Sequence, residues 1–64
     1  MRIKVVVRSS LLHRGRQYFN NIGDVINVRK DNCDFTEVLV RFEDKSEIWI
    51  YPTILEITHK RVGD

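Results

Sequence analysis

Sixty-four residues, 42% of them hydrophobic and 31% charged with a net charge of +2, make one small domain. A chain this short buries only roughly 60% of the surface that its unfolded form exposes, which argues against a deep catalytic cleft built by one copy alone. No segment is long or apolar enough to span a bilayer, and the single Cys33 cannot form an intrachain disulfide, so the chain is expected to be soluble and to work in a reducing compartment.

The first strand is read over residues 2–8, where Ile3, Val5 and Val7 alternate with Lys4, Val6 and Arg8. Its unbroken apolar run, Val5-Val6-Val7, is too short for the core of a secretory signal. Residues 9–21 hold no sustained period and form a long loop, with Gly15 as its expected turn. Leu11, Leu12, Tyr18 and Phe19 are expected to fold back over the open end of the domain, because exposing all four is costly. Asn20 to Asp24 is the tightest turn signal, since Asn and Gly tolerate positive φ, and a second strand follows over 24–30. Asp31-Asn32-Cys33-Asp34 connects it to a third strand over 36–43, with Val38, Val40 and Phe42 on the core face and Leu39 and Arg41 on the other. Glu43-Asp44-Lys45-Ser46 is short enough for a hairpin into a fourth strand over 47–51. Pro52 cannot donate a ladder hydrogen bond and ends that strand. Tyr51 to Ile54 fit one turn of 3₁₀ helix, and a short last strand covers 55–58 before a tail at 60–64.

Five short strands, a long loop after the first, a tight hairpin between the third and fourth and a 3₁₀ turn before the fifth resemble an all-β, five-stranded SH3-like barrel, expected over residues 1–59. The oligonucleotide-binding barrel is the alternative, but it normally requires a longer chain and often a helix between strands three and four.

Charge is uneven along the chain. Residues 1–30 carry seven Lys or Arg against one carboxylate, and residues 31–64 carry four against eight. Either these charges solubilise the outer strand faces, or the basic half steers an acidic partner. Arg8, His13, Arg14 and Arg16 in the long loop, with Arg29 and Lys30, form the candidate basic surface. Interleaved with Tyr18 and Phe19, it suits an acidic protein or single-stranded nucleic acid. Trp49 and Tyr51 alternate with Ile48 and Ile50, so if the isoleucines are core the two aromatics point outward as interface anchors. If the long loop covers strand four, Trp49 belongs instead to a minor core. Tyr18, Phe19, Trp49 and Tyr51 are also the rings available for a methyl-lysine cage.

Catalytic chemistry has little support. Ser9, Ser10 and His13 lack a neighbouring carboxylate to orient the imidazole. His13, His59 and Cys33 come from distant segments without the spacing of a zinc site. Cys33, flanked by Asp31 and Asp34, is not read as a redox centre. No enzymatic activity, metal or other cofactor is expected.

Tyr18 to Val25 followed by Val38 to Glu43 resembles the E-subunit family of photosystem I. Val7 to Ser10, Gly23-Asp24-Val25, Val38 to Glu43 and Tyr51-Pro52 are similar to the variable chain of ferredoxin-thioredoxin reductase. The resemblance spans about residues 3–57 and implies an SH3-like, non-catalytic accessory subunit beside an iron-sulfur electron-transfer partner, in a cytoplasmic or stromal setting. It departs from the photosystem family in its short 43–46 connection and in Trp49 and Tyr51. Val40 to Ser46 with Trp49 resembles the Tudor domain of Polycomb-like proteins, which implies a methyl-lysine reader. Ile50-Tyr51-Pro52 with Leu55-Glu56 resembles plasmid-type dihydrofolate reductase, but Trp49 stands where that family has a ligand-contacting glutamine. The overall expectation is an interaction module docking an acidic protein partner, with nucleic-acid binding as the alternative.

Overall fold

A computed structural model describes residues 3–58. Five strands, β1 (Ile3–Val7), β2 (Ile22–Lys30), β3 (Thr36–Phe42), β4 (Glu47–Ile50) and β5 (Leu55–Ile57), form one antiparallel sheet in the order β4-β3-β2-β1-β5. Two short 3₁₀ turns, Arg16–Tyr18 and Pro52–Ile54, are the only helical elements among the described residues. The all-β class, the five strands, the long loop after β1 and the 3₁₀ turn before β5 agree with the sequence reading. The hydrogen-bonded ladder does not close, because β4 and β5 are its two unpaired ends.

Val5 and Val7 of β1, Val40 and Phe42 of β3 and Ile50 of β4 form the buried core. Two strands separate β1 from β4 in the ladder, so the sheet must curl for these side chains to meet. Val25, Val38, Ile48, Ile54, Leu55 and Tyr18 pack around them. Removing such apolar surface from water is what stabilises a sheet of short strands.

Two features of β2 differ from the sequence reading. Asn20 does take a positive φ of 69°, but the strand begins at Ile22, so Gly23 lies inside it rather than in a turn. Gly23 pairs with Val5 and Phe42, and a Cβ there would collide with Val40 Cγ1 and stand 2.9 Å from the Arg41 carbonyl oxygen. The missing side chain therefore makes room for the core residues of β3. The register also shifts between Val25 and Asn27, leaving Ile26 as an extra residue. This bulge pairs Asn27 with outward Leu39 and Val28 with inward Val38; an unbroken alternation would turn Asn27 toward the core.

The long loop also differs. Leu11 and Leu12 remain 76% and 85% exposed, and Phe19 is exposed too; of the four apolar residues expected to fold back, Tyr18 does so, stacked on Phe42 with ring centroids 4.0 Å apart. The tail at 60–64 lies outside the described residues.

Candidate functional site

Strand alternation places Glu37, Leu39 and Arg41 of β3 on the face opposite Val38, Val40 and Phe42, where cross-strand neighbours decide their partners. Arg29 lies directly across from Glu37 on β2, and Trp49 lies across from Leu39 on β4. Arg29 Nε donates to Glu37 Oε1 at 2.9 Å, and its guanidinium carbon stands 4.0 Å over the Trp49 ring. Arg14 reaches in from the long loop and donates to Glu37 Oε2. Glu37 is only 2% exposed, yet both its oxygens meet a guanidinium. Hydrogen bonds from Arg29 and then Arg14 hold its carboxyl below the ordinary value, outweighing the opposing effect of burial.

A second carboxylate braces the same end of the sheet. Asp31 Oδ1 accepts the backbone N–H groups of Cys33 and Phe35, each at 2.9 Å, which organises the β2–β3 turn. Its other oxygen accepts the Tyr51 hydroxyl. That bond is the main cause of a lowered Asp31 carboxyl and of a Tyr51 phenol raised above its ordinary value. Trp49 and Tyr51 thus face away from buried Ile50 and half-buried Ile48, as alternation required.

The long loop approaches these aromatics through a chain of local hydrogen bonds. His13 Nδ1 accepts the Gly15 N–H at 3.1 Å, so the other ring nitrogen, Nε2, carries the proton and donates to the Ser9 carbonyl at 3.0 Å. Gly15 is buried, with space for a Cβ denied by Ile50 Cδ1 at 2.5 Å. The result is a pocket of about 250 Å³ between His13, Arg14 and Gly15 on one side and Trp49, Ile50, Tyr51 and Ile54 on the other. Two surfaces that the sequence presented separately, the basic loop and the outward aromatics, meet here.

The remaining candidates lie elsewhere or in other roles. Arg8 is paired with Glu56 at 2.8 Å and with the Asn20 side-chain oxygen at 2.9 Å. Tyr18 is committed to Phe42 and donates to Asp44 at 2.6 Å, a bond that lowers the Asp44 carboxyl. Its ring is stacked in the core while Trp49 faces Arg29, so these two rings do not converge as a methyl-lysine cage would need. The side chains of Arg16 and Lys30 have no hydrogen-bond or ion-pair partner among the described residues. His13 bonds the Ser9 carbonyl rather than its hydroxyl, which instead accepts the Leu11 N–H at 3.2 Å, so no nucleophile–base pair forms there. Among the described residues no cluster of His, Cys, Asp and Glu is placed to hold a metal ion.

Glu37 and Asp31 were not singled out from the sequence. A turn closing at Asp31–Phe35, with Lys30 opposite Thr36, puts Arg29 opposite Glu37, and this register was the available signal.

No family model matches the chain, and no curated protein matches it. A solved structure shares its fold: the solution structure of the cyanobacterial cytochrome b6f complex subunit PetP, with a TM-score of 0.72 at 20% identity over 89% of this chain and 76% of that one. At this identity the likeness is one of fold.

Proposed function

We propose that the chain is a non-enzymatic accessory subunit that docks an acidic protein partner within an electron-transfer complex. The observation that carries the reading is the meeting of His13, Arg14, Trp49 and Tyr51 at one preformed pocket. An indole and a phenol beside a small, largely apolar cleft suit a binding anchor, since they bury large area with few rotatable bonds. Glu37 and Asp31 brace both walls, so little order is left to be imposed on binding. Arg16 and Lys30, exposed and without side-chain partners among the described residues, are left to steer an acidic partner electrostatically. The shared fold with PetP, a subunit of the cytochrome b6f complex, supports an accessory role, and the five-strand order with its long loop and 3₁₀ turn supports the SH3-like reading.

The test is recovery of partners by the tagged chain from its source lysate at low and at high salt. Electron-transfer subunits are expected at low salt, with recovery falling roughly tenfold on combining Arg16→Glu with Lys30→Glu, which spares the Glu37 clamp. Recovery of nucleic acid alone, or no change on this double reversal, overturns the reading.

A further inference from the structure

We infer that Leu11 and Leu12 form a hydrophobic knob that seats in an apolar, carboxylate-rimmed pocket of the protein partner; this deepens the docking reading above and rests on it. At 76% and 85%, they are the most exposed large hydrophobic side chains among the described residues. Single exposed apolar residues are ordinary, but an adjacent pair at a loop tip is a patch that calls for a covering surface.

The tip that carries them is held in place. Leu11 N–H is bonded to Ser9 Oγ, His13 bridges the Ser9 carbonyl and the Gly15 N–H, and Arg16 N–H returns to the His13 carbonyl at 3.2 Å. Arg14, next after His13, is anchored on Glu37, and Gly15 is seated against Ile50. On the other side Arg8 N–H donates to the Ile54 carbonyl at 2.8 Å, so the loop is tied to the body of the domain before and after the knob, ahead of any partner. Such preorganisation lowers the ordering cost of docking and favours a shaped pocket as the occupant.

Charge selects the chemistry of that pocket. Residues 9–21 contain no carboxylate. Arg14 is engaged by Glu37, which it shares with Arg29, while Arg16, exposed and four residues after Leu12 in the same loop, has no side-chain partner among the described residues. One unpaired guanidinium fits a carboxylate at a pocket rim, whereas anionic bilayers are held by clusters of roughly four to eight Lys or Arg. The observations therefore favour a protein surface over a lipid one.

The knob is tested by placing the photo-crosslinking residue p-benzoylphenylalanine at position 11, 12 or, separately, 49 of the full chain in its source cells, and mapping the crosslinked atoms by mass spectrometry. Positions 11 and 12 are expected to label one segment of one protein, apolar and flanked by Asp or Glu, with the yield cut at least threefold by Arg16→Glu. Circular dichroism checks that each variant is folded. Labelling from position 49 but not from 11 or 12 overturns the knob and leaves the docking reading standing. Labelling of lipid from positions 11 and 12 overturns it in favour of a bilayer contact, and no labelling from any of the three positions overturns both.

Discussion

At Glu37 two guanidiniums converge on a carboxylate that the sheet has almost entirely removed from water. Burying one charge is unfavourable, and here it is offset only because both oxygens are engaged. Removing the acid leaves Arg14 and Arg29 without their common acceptor, whereas removing one arginine leaves the other in place. Glu37→Gln is therefore expected to lower the midpoint of thermal unfolding more than Arg14→Gln does, and equal midpoints for the two variants would contradict the shared-clamp account. Gly23 sets a different limit on the same sheet. In Gly23→Ala the new methyl meets Val40 Cγ1 and, at 2.9 Å, the Arg41 carbonyl oxygen, which belongs to a paired strand and cannot swing aside. Overpacking of this kind costs about 1–3 kcal/mol. Urea unfolding is the measurement, and a variant as stable as the parent would show that the strands separate without strain.

Among the elements, the strands were legible because each carries its own alternation: Val38, Val40 and Phe42 do face the core, and Ile50 does lie opposite Trp49. Pro52 likewise announced the 3₁₀ turn, since it cannot extend a ladder. What escaped the sequence was set by contacts between distant segments. The clamp joins residues 23 positions apart for Arg14–Glu37, which no local periodicity encodes, and eight for Arg29–Glu37, which depends on the register of the β2–β3 hairpin. Gly23 looked like a turn because glycine permits turns, but its use here is close approach within the sheet. The exposed Leu11 and Leu12 defied the expectation that apolar residues fold back; it is Gly15 and Tyr18 of this loop that lie against Ile50 and Phe42. The contact of that loop with β4 is testable by itself. Gly15→Ala drives a methyl to within 2.5 Å of Ile50 Cδ1, and this is expected to destabilise the domain by about 1–3 kcal/mol. Ile50→Val removes that Cδ1 at a cost of about 0.5–1.5 kcal/mol. If the clash is real, the double variant is less destabilised than the sum of the two; strict additivity in a urea-unfolding cycle would place the strain elsewhere.

Over the whole molecule, folding interleaves the charges that the sequence segregates. Arg8, Arg14 and Arg29 from the basic half meet Glu56 and Glu37 from the acidic half. The exposed pairs, Arg8–Glu56, Lys4–Asp24 and Arg41–Glu47, contribute little to stability because water and salt screen them. The pH dependence of the fold is expected to follow instead the groups whose hydrogen bonds link separate segments. Asp31, Glu37 and Asp44 all have carboxyls lowered by such bonds: from Tyr51 first for Asp31, from Arg29 first for Glu37 and from Tyr18 first for Asp44. A carboxyl lowered on folding stabilises the native state fully above its unfolded value, and that contribution disappears as pH falls through the folded value. The unfolded values are near 3.8 for the aspartates and 4.5 for the glutamate, so the thermal midpoint is expected to hold from neutrality to about pH 5 and to fall progressively below it. Tyr51 acts in the opposite direction. Its phenol is raised chiefly by its bond to Asp31, so its contribution is complete below about pH 10 and is lost as pH climbs through the folded value. Asp31→Asn removes the acceptor charge on which both effects depend. It is expected to flatten the acid limb and the alkaline limb together, at the price of a lower midpoint at neutral pH. Thermal unfolding followed by circular dichroism from about pH 2 to 11 reads all of this in parent and variant. An Asp31→Asn curve displaced uniformly downward, with both limbs unchanged, would separate the Asp31–Tyr51 bond from the pH response and leave Glu37 and Asp44 to account for the acid side alone.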